Sequence, residues 1–387
     1  VPWNSSPIVL RLLALLALSD LVRSGFLVAY LPLAGRQFEL SAADVGLIVG
    51  LNYLADALAK GPVGVLTERF GLGRMAFLGA FVGIVTLLAL PHVPFLFLAW
   101  LLSLTWGLAF TSLWPGVMTA VSHFAKEGKQ SRALSWASVA AAPGIVLGVL
   151  GVGLVMKRAP ELGYPILVGT QVVALLLALS LVNLRLPRRT QRTSSYRWVR
   201  VATLIPAAFA QTLAPGLLVP IFYPYLARLG LSVTDLLAPA ALGAVVGLGC
   251  VQLAGRLADR LHPRAALLPG LLLLGTTFVL LGLPGAENRL YLITAVGGLA
   301  YALFLAGWNG LVGRTLPKEH RTAAWGTVMA VEALGYAVGP VLGGVMWERF
   351  GSGGPFYLGA LVFLLVNLYY VMPWREAARR LSATPPR

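Results

Sequence analysis

Residues 64–74 read Gly64-Val65-Leu66-Thr67-Glu68-Arg69-Phe70-Gly71-Leu72-Gly73-Arg74, a short charged turn set between two long apolar runs. A shortened version returns 191 residues later as Gly255-Arg256-Leu257-Ala258-Asp259-Arg260, again between apolar runs. A second pair, Arg132 with Trp136 and Arg321 with Trp325, repeats at a spacing of 189. Two repeats at nearly one offset, each close to half of the chain, describe a sequence made of two similar halves.

The composition says what medium those halves occupy. Of 387 residues, 58% are hydrophobic and only 11% charged, against about 25% charged in soluble domains. Mean hydropathy is +0.81. So few charges cannot cover so much apolar surface in water, and disorder is excluded on the same ground. A helix crossing a bilayer needs about 20 apolar residues. The apolar runs give twelve spans, near 8–35, 43–67, 74–91, 94–121, 133–156, 165–184, 201–227, 236–258, 265–284, 290–313, 324–347 and 355–373. The expected fold is all-α, twelve transmembrane helices in two pseudo-symmetric six-helix bundles. The halves are 1–184 and 201–373, joined by the basic linker 185–200 and followed by a tail, 374–387. The first apolar run is longer than a signal-peptide core and has no small-residue cleavage pattern after it, so it is expected to remain as span one.

The net charge of +16 would suggest nucleic acid in a soluble protein. Here the basic residues fall in the gaps between spans. With the N-terminus inside, 22 of the 30 Lys and Arg lie on the inner side, 6 on the outer side and 2 within spans. That bias predicts cytoplasmic termini, and a multi-pass protein of a bacterial-type plasma membrane with no nucleic-acid partner. The single cysteine, Cys250, cannot form an intrachain disulfide, and no metal-ligand spacing occurs. Repeated membrane halves point to a transporter whose site lies between them, near the bilayer midplane.

The segment Gly64-x-x-x-Glu68-Arg69-x-Gly71 with Arg74, and its degenerate echo at Gly255, Asp259 and Arg260, resembles the cytoplasmic signature of the major facilitator superfamily. The resemblance implies alternating access, a monomer, and a gate role for these residues, with Glu68 meeting an Arg or a helix N-terminus across the halves. Span eleven carries Gly335-x-x-x-Gly339-Pro340-x-x-Gly343-Gly344, the full form of a glycine-proline pattern that span five holds only in part as Pro143-Gly144 and Gly148. In span eleven it is expected to shape helix packing as the halves move.

Five ionisable residues fall inside spans, away from their ends: Asp20, Arg23, Asp56, Lys60 and Glu332. Each costs roughly 2.5–3.5 kcal/mol near a helix centre, so five left unpaired would cost on the order of 12–18 kcal/mol. They must meet each other or water. Asp20 lies 12 residues after Ile8, and Asp56 12 residues before Glu68. Both are therefore about 18 Å along their helices from the same side, near the middle of a core about 30 Å thick. Asp20 and Arg23 share a helix face, as do Asp56 and Lys60, with Asn52 one turn away. The expected site is a polar cluster of Asp20, Arg23, Asn52, Asp56 and Lys60. A carboxylate moved between dry and wet surroundings exchanges a proton, because burial disfavours its charged form. Asp20, Asp56 and Glu332 are the candidate proton carriers. Ion pairs that merely lock helices are the competing reading.

The second half offers mostly aromatic candidates, Phe222, Tyr223, Tyr225, Tyr301, Phe304 and Trp308, with Gln211 and Asn309 as polar exceptions. A polar half facing an apolar half suits an amphiphile. Asp20-x-x-Arg23 followed by Asp56 resembles the pocket of the proton-coupled glycolipid flippases of this superfamily, the lipoteichoic-acid anchor type. That resemblance implies a hydrophilic pocket at Asp20, Arg23 and Asp56, and sugar contacts at Trp114 and Trp136. The first acid is Asp rather than the Glu of that group. Drug/proton antiporters commonly carry an Arg four residues before a Gly in span four; here Ser103 precedes Gly107.

The sequence thus predicts a proton-coupled antiporter exporting or flipping an amphiphile such as a glycolipid, with lipids, protons and that substrate as partners. A proton-driven exporter of hydrophobic compounds and an importer of sugars or organic anions stand as alternatives. No nucleotide-binding loop is present, so the proton gradient rather than a cofactor is the expected energy source. An enzyme is not expected: the spans hold no histidine, cysteine pair or metal spacing.

Overall fold

The computed structural model describes residues 7–35, 39–93, 96–125, 137, 140–186, 201–315 and 321–372. Helices dominate. They are α1 (Pro7–Ala34), α2 (Ala42–Phe70), α3 (Leu72–Ala89), α4 (Leu96–Phe110), α5 (Leu113–Phe124), α6 (Ala140–Arg158) and α7 (Pro160–Ser180). There follow α8 (Ile205–Leu218), α9 (Phe222–Arg228), α10 (Val233–Arg260), α11 (Pro263–Gly282), α12 (Leu290–Thr315), α13 (Arg321–Phe350) and α14 (Gly354–Val371). Among the described residues eleven segments are long and apolar enough to cross a membrane, α4 and α5 forming one of them. They become twelve when α8 and α9, bent by 51°, count as one span.

Local chemistry sets the ends and breaks. The Ser41 hydroxyl accepts from the Asp44 amide while the Asp44 carboxylate accepts from the Ser41 amide, a capping box that starts α2. At Gly71 φ is +94°. A side chain there would be strained and would press on Arg185, so glycine alone lets α2 turn directly into α3. The fourth span breaks at Thr111-Ser112 because Pro115 cannot donate to the carbonyl of Thr111. Pro220 and Pro224 act alike between α8 and α9.

Two compact units appear in the contacts. One contains the described residues of Val1–Thr193 with Pro215–Thr234 and Ala333–Arg349; the other contains those of Ser194–Ala214, Asp235–Glu332 and Phe350–Arg387. These groupings cut through α8, α10 and α13 and differ from the halves of the sequence repeat.

In the first unit, Leu12, Leu16, Leu72, Val117 and Ala174 lie in one fully buried core. α1 widens into a π-helical turn at Gly25–Tyr30, and α6 does so at Leu147–Gly151. The two wide turns meet where a Cβ on Gly148 would sit 2.1 Å from the Ser24 hydroxyl. α2 lies along α13 on small residues: a Cβ on Gly46 would meet the Pro340 carbonyl at 2.2 Å, and one on Gly50 the Ala337 carbonyl at 2.5 Å. Tyr53 and Tyr336 stack at 5.5 Å at one end of this seam, and the Ala43 amide donates to Glu348 at the other.

In the second unit α11 packs between α12 and α14. Phe278 sets its ring against Phe356 and Phe363. The Tyr370 hydroxyl donates to the Thr203 carbonyl, and the Asn367 amide to that of Leu268. Large apolar side chains such as Val245, Leu248, Leu253, Phe97 and Leu176 stand exposed, the surface of a protein dissolved in lipid.

Candidate functional site

α1 and α2 bring their charges together inside the first unit. Arg23 is the hub. Its Nε donates to Asn52 Oδ1 at 2.8 Å, and its Nη1 lies 3.2 Å from Asp56 Oδ2. The side chains of Arg23 and Asp56 are only 6% and 13% exposed. The guanidinium plane is covered on two sides, with Cζ 4.3 Å from the Tyr53 ring centre and 4.2 Å from that of Phe110. Each such contact is worth about 0.5–2 kcal/mol, more when desolvated. The remaining nitrogen, Nη2, is buried and has no partner among the described residues.

Asp20, three residues earlier, is buried as well. The Trp114 indole N–H reaches both of its carboxylate oxygens at 3.1 Å. The break before α5 puts Trp114 there. Asn52 is fully buried, and its amide donates to the Ser103 carbonyl at 3.1 Å. The Ser103 hydroxyl donates in turn to the Ile48 carbonyl at 2.6 Å. Asn52 thus spends both ends of its side chain holding Arg23 to α4. It positions the arginine.

Of the expected cluster, the structure joins Asp20, Arg23, Asn52 and Asp56. Lys60 stays out: it is half-buried, and among the described residues it makes no ion pair. Spacing on one helix put Lys60 beside Asp56, but Asp56 is satisfied from α1 instead. Trp114 is used by Asp20. Trp136 lies outside the described residues.

The second-half candidates scatter. Trp308 is 3% exposed and stacks on Phe304 at 6.5 Å, so it is a core residue rather than a contact for substrate. Asn309 is exposed. Tyr223 is buried and donates its hydroxyl to the Val149 carbonyl. Glu332 is half-buried and accepts from the Gln211 side-chain amide within the second unit. Among the gate candidates, Gly64 faces open space and Glu68, Arg69 and Arg74 are exposed, with Arg69 5.5 Å from the Phe70 ring. Glu68 makes no ion pair among the described residues. Gly255 also meets open space, beside exposed Asp259 and Arg260. Gly335, Gly339 and Pro340 are buried, and Gly216 packs directly against them.

Sequence reasoning missed Tyr53 and Phe110. Tyr53 is three residues from Asp56 and so shares its face, a readable signal. Phe110 needs the packing of α4 on α1 and α2. Ser103 was visible only as a departure from the drug-antiporter pattern; here it is a helix-to-helix tie.

A helical membrane fold whose first unit holds a buried Arg–Asp pair has the make-up of a secondary transporter. The family model described as Major Facilitator Superfamily matches residues 12–285 and 204–386, and the chain belongs to that superfamily. It is 22% identical over 386 residues to the proton-coupled antiporter flippase LtaA of Staphylococcus saprophyticus, an alignment covering 95% of this chain and 94% of the relative. The protein of the same name from Staphylococcus aureus strain USA300 is 21% identical over 377 residues, 93% of each chain. A bacterial homologue of the human lysosomal transporter Spinster, inward-facing and occupied, superposes with a TM-score of 0.74 at 16% identity, covering 95% of this chain and 97% of that one. The nucleoside transporter NupG gives 0.71 at 13% identity, covering 95% and 98%. The chain is thus a multi-pass membrane transporter with the major facilitator fold.

Proposed function

We propose that the chain is a proton-coupled antiporter that flips or exports an amphiphile with a polar head, a glycolipid being the best fit. The observation that carries this is the state of Arg23: paired with Asp56, braced by Asn52 and two aromatic rings, and left with one buried N–H direction unused. A buried pair of this kind is a poor stabiliser compared with apolar packing, so its retention points to use. When Asp56 takes a proton, Arg23 loses its counter-charge and can accept the oxygens of a head group. When the head group leaves, Asp56 releases its proton and pairs again. One arginine serving proton and substrate in turn is antiport, and a substrate with equal affinity for both states would drive nothing. Asp20, held by Trp114, is the second proton candidate of this unit, and Glu332 with Gln211 that of the other.

The LtaA relatives support proton coupling and flipping as the reading for this chain. The Lys and Arg distribution supports cytoplasmic termini in a bacterial-type plasma membrane. Membrane lipid, the proton and the amphiphile are the partners, the protein works as a monomer, and it moves its substrate unchanged. Glu68 and its neighbours would gate the side carrying the termini.

The test is flipping of a fluorescent glycolipid in proteoliposomes, with and without an imposed pH gradient, comparing wild type with Asp56→Asn. Gradient-driven flipping lost in the variant is the expected result. A folded wild type that flips no glycolipid overturns the lipid reading, and the same vesicles then serve to screen hydrophobic drugs.

A further inference from the structure

Beside the charge cluster, inside the first unit, lies a small, partly open niche lined by Leu15, Ser19, Trp106, Ser112, Leu113 and Gln171, with Phe110 in its wall. Phe110 is the ring that covers Arg23 on the other side. The niche offers about 20 Å³ to the centre of a water-sized sphere. One water needs about 10–15 Å³ by that measure, with two to four polar partners. Apolar cavities of similar size stay dry, so the lining decides.

The lining is polar where it needs to be. The Ser112 hydroxyl is buried and has no hydrogen-bond partner among the described residues. The Trp106 indole, 3% exposed, and the buried Ser19 side chain line the same space. Gln171 is 4% exposed and donates its amide to the Ala80 carbonyl at 2.9 Å, which leaves its side-chain oxygen for another donor. Gly83 makes room for this: a Cβ there would lie 2.7 Å from Gln171 Nε2 and 3.4 Å from Trp106 Nε1. The niche also adjoins the break between α4 and α5, where Pro115 strips the Thr111 carbonyl of its helical donor. Broken helices at membrane depth are found where water or protein re-satisfies the backbone.

We infer that this niche is a binding site for a single ordered water, held by Ser112, Ser19, Trp106 and Gln171. The water steadies the break that aims Trp114 at Asp20. The site stands whether or not the substrate is a lipid.

Radiolytic hydroxyl-radical footprinting on the full chain in lipid nanodiscs tests it, because a trapped water generates radicals in place. Trp106 should oxidise at least five-fold faster than Trp308, which is equally buried, and Leu113 faster than the buried Leu204. Ser112→Ala should erase the difference and lower the melting temperature by a few degrees, since the water loses a partner. In a dry niche the same substitution removes an unsatisfied hydroxyl and raises it. Labelling of Trp106 no faster than Trp308, or a more stable Ser112→Ala, overturns the proposal. If the variant fails to fold, the wild-type labelling decides alone.

Discussion

Arg23 Nη1 on α1 lies 3.2 Å from Asp56 Oδ2 on α2, while Lys60, one turn along from Asp56, takes no part. The pairing crosses helices instead of running along one. It ties the first two spans together near the middle of the membrane, and it makes one guanidinium answer to groups on α1, α2 and α4.

Arg23→Lys keeps the charge and loses the rest. An ammonium cannot reach Asn52 and Asp56 as a planar fork, nor stack between Tyr53 and Phe110. Transport in proteoliposomes should fall at least ten-fold, while membrane insertion and yield stay at wild-type level. Near-normal turnover would reduce Arg23 to a simple counter-charge.

Trp114→Phe preserves a ring but removes the only indole N–H on the Asp20 carboxylate among the described residues. A charge-assisted hydrogen bond in a buried site is worth about 1.5–3 kcal/mol. Coupled transport should drop several-fold, and its pH profile should move relative to wild type. An unmoved profile would show that Trp114 serves only as packing.

Gly107→Ala should separate α2 from α4. Its new Cβ would sit 2.1 Å from the Asn52 carbonyl and 3.0 Å from Ala55 Cβ. Overpacking of this sort costs about 1–3 kcal/mol. Thermal unfolding in detergent should come several degrees earlier, with transport lost in the surviving protein because Asn52 no longer braces Arg23.

Glu348→Gln removes a negative charge from the N-terminus of α2, where Ala43 donates to it at 2.8 Å. A carboxylate at a helix N-terminus contributes about 0.3–1 kcal/mol. Spin labels at the facing ends of α2 and α13 should report a two- to five-fold fall in the population with those ends together. An unchanged distance distribution would mean that the small-residue seam alone holds them.

Much of this was legible in the chain. Spans show because 20-residue apolar runs leave no other reading; Asp20, Arg23 and Asp56 show because charges are costly in lipid, and Asn52 because it lies one turn from Asp56. Helical spacing tells which residues share a face of one helix. It does not tell which face meets the neighbouring helix, and so Lys60 was placed in the cluster and Phe110 was not. Trp308 failed for a related reason: an aromatic at helical spacing looks the same in a core and in a cavity wall. Pro115 stands in the sequence within an apolar run. That it breaks the helix, and by doing so delivers Trp114 to Asp20, follows only from packing.

Tyr53 has one face on Arg23 and stacks with Tyr336 of the α2–α13 seam. A single ring is therefore common to the charged cluster and to the α2–α13 seam. Loosening the arginine uncovers one side of a tyrosine whose neighbour is the seam. A change in the pairing of Arg23 needs to travel no further than the thickness of an aromatic ring before it becomes a question of whether two helices stay together.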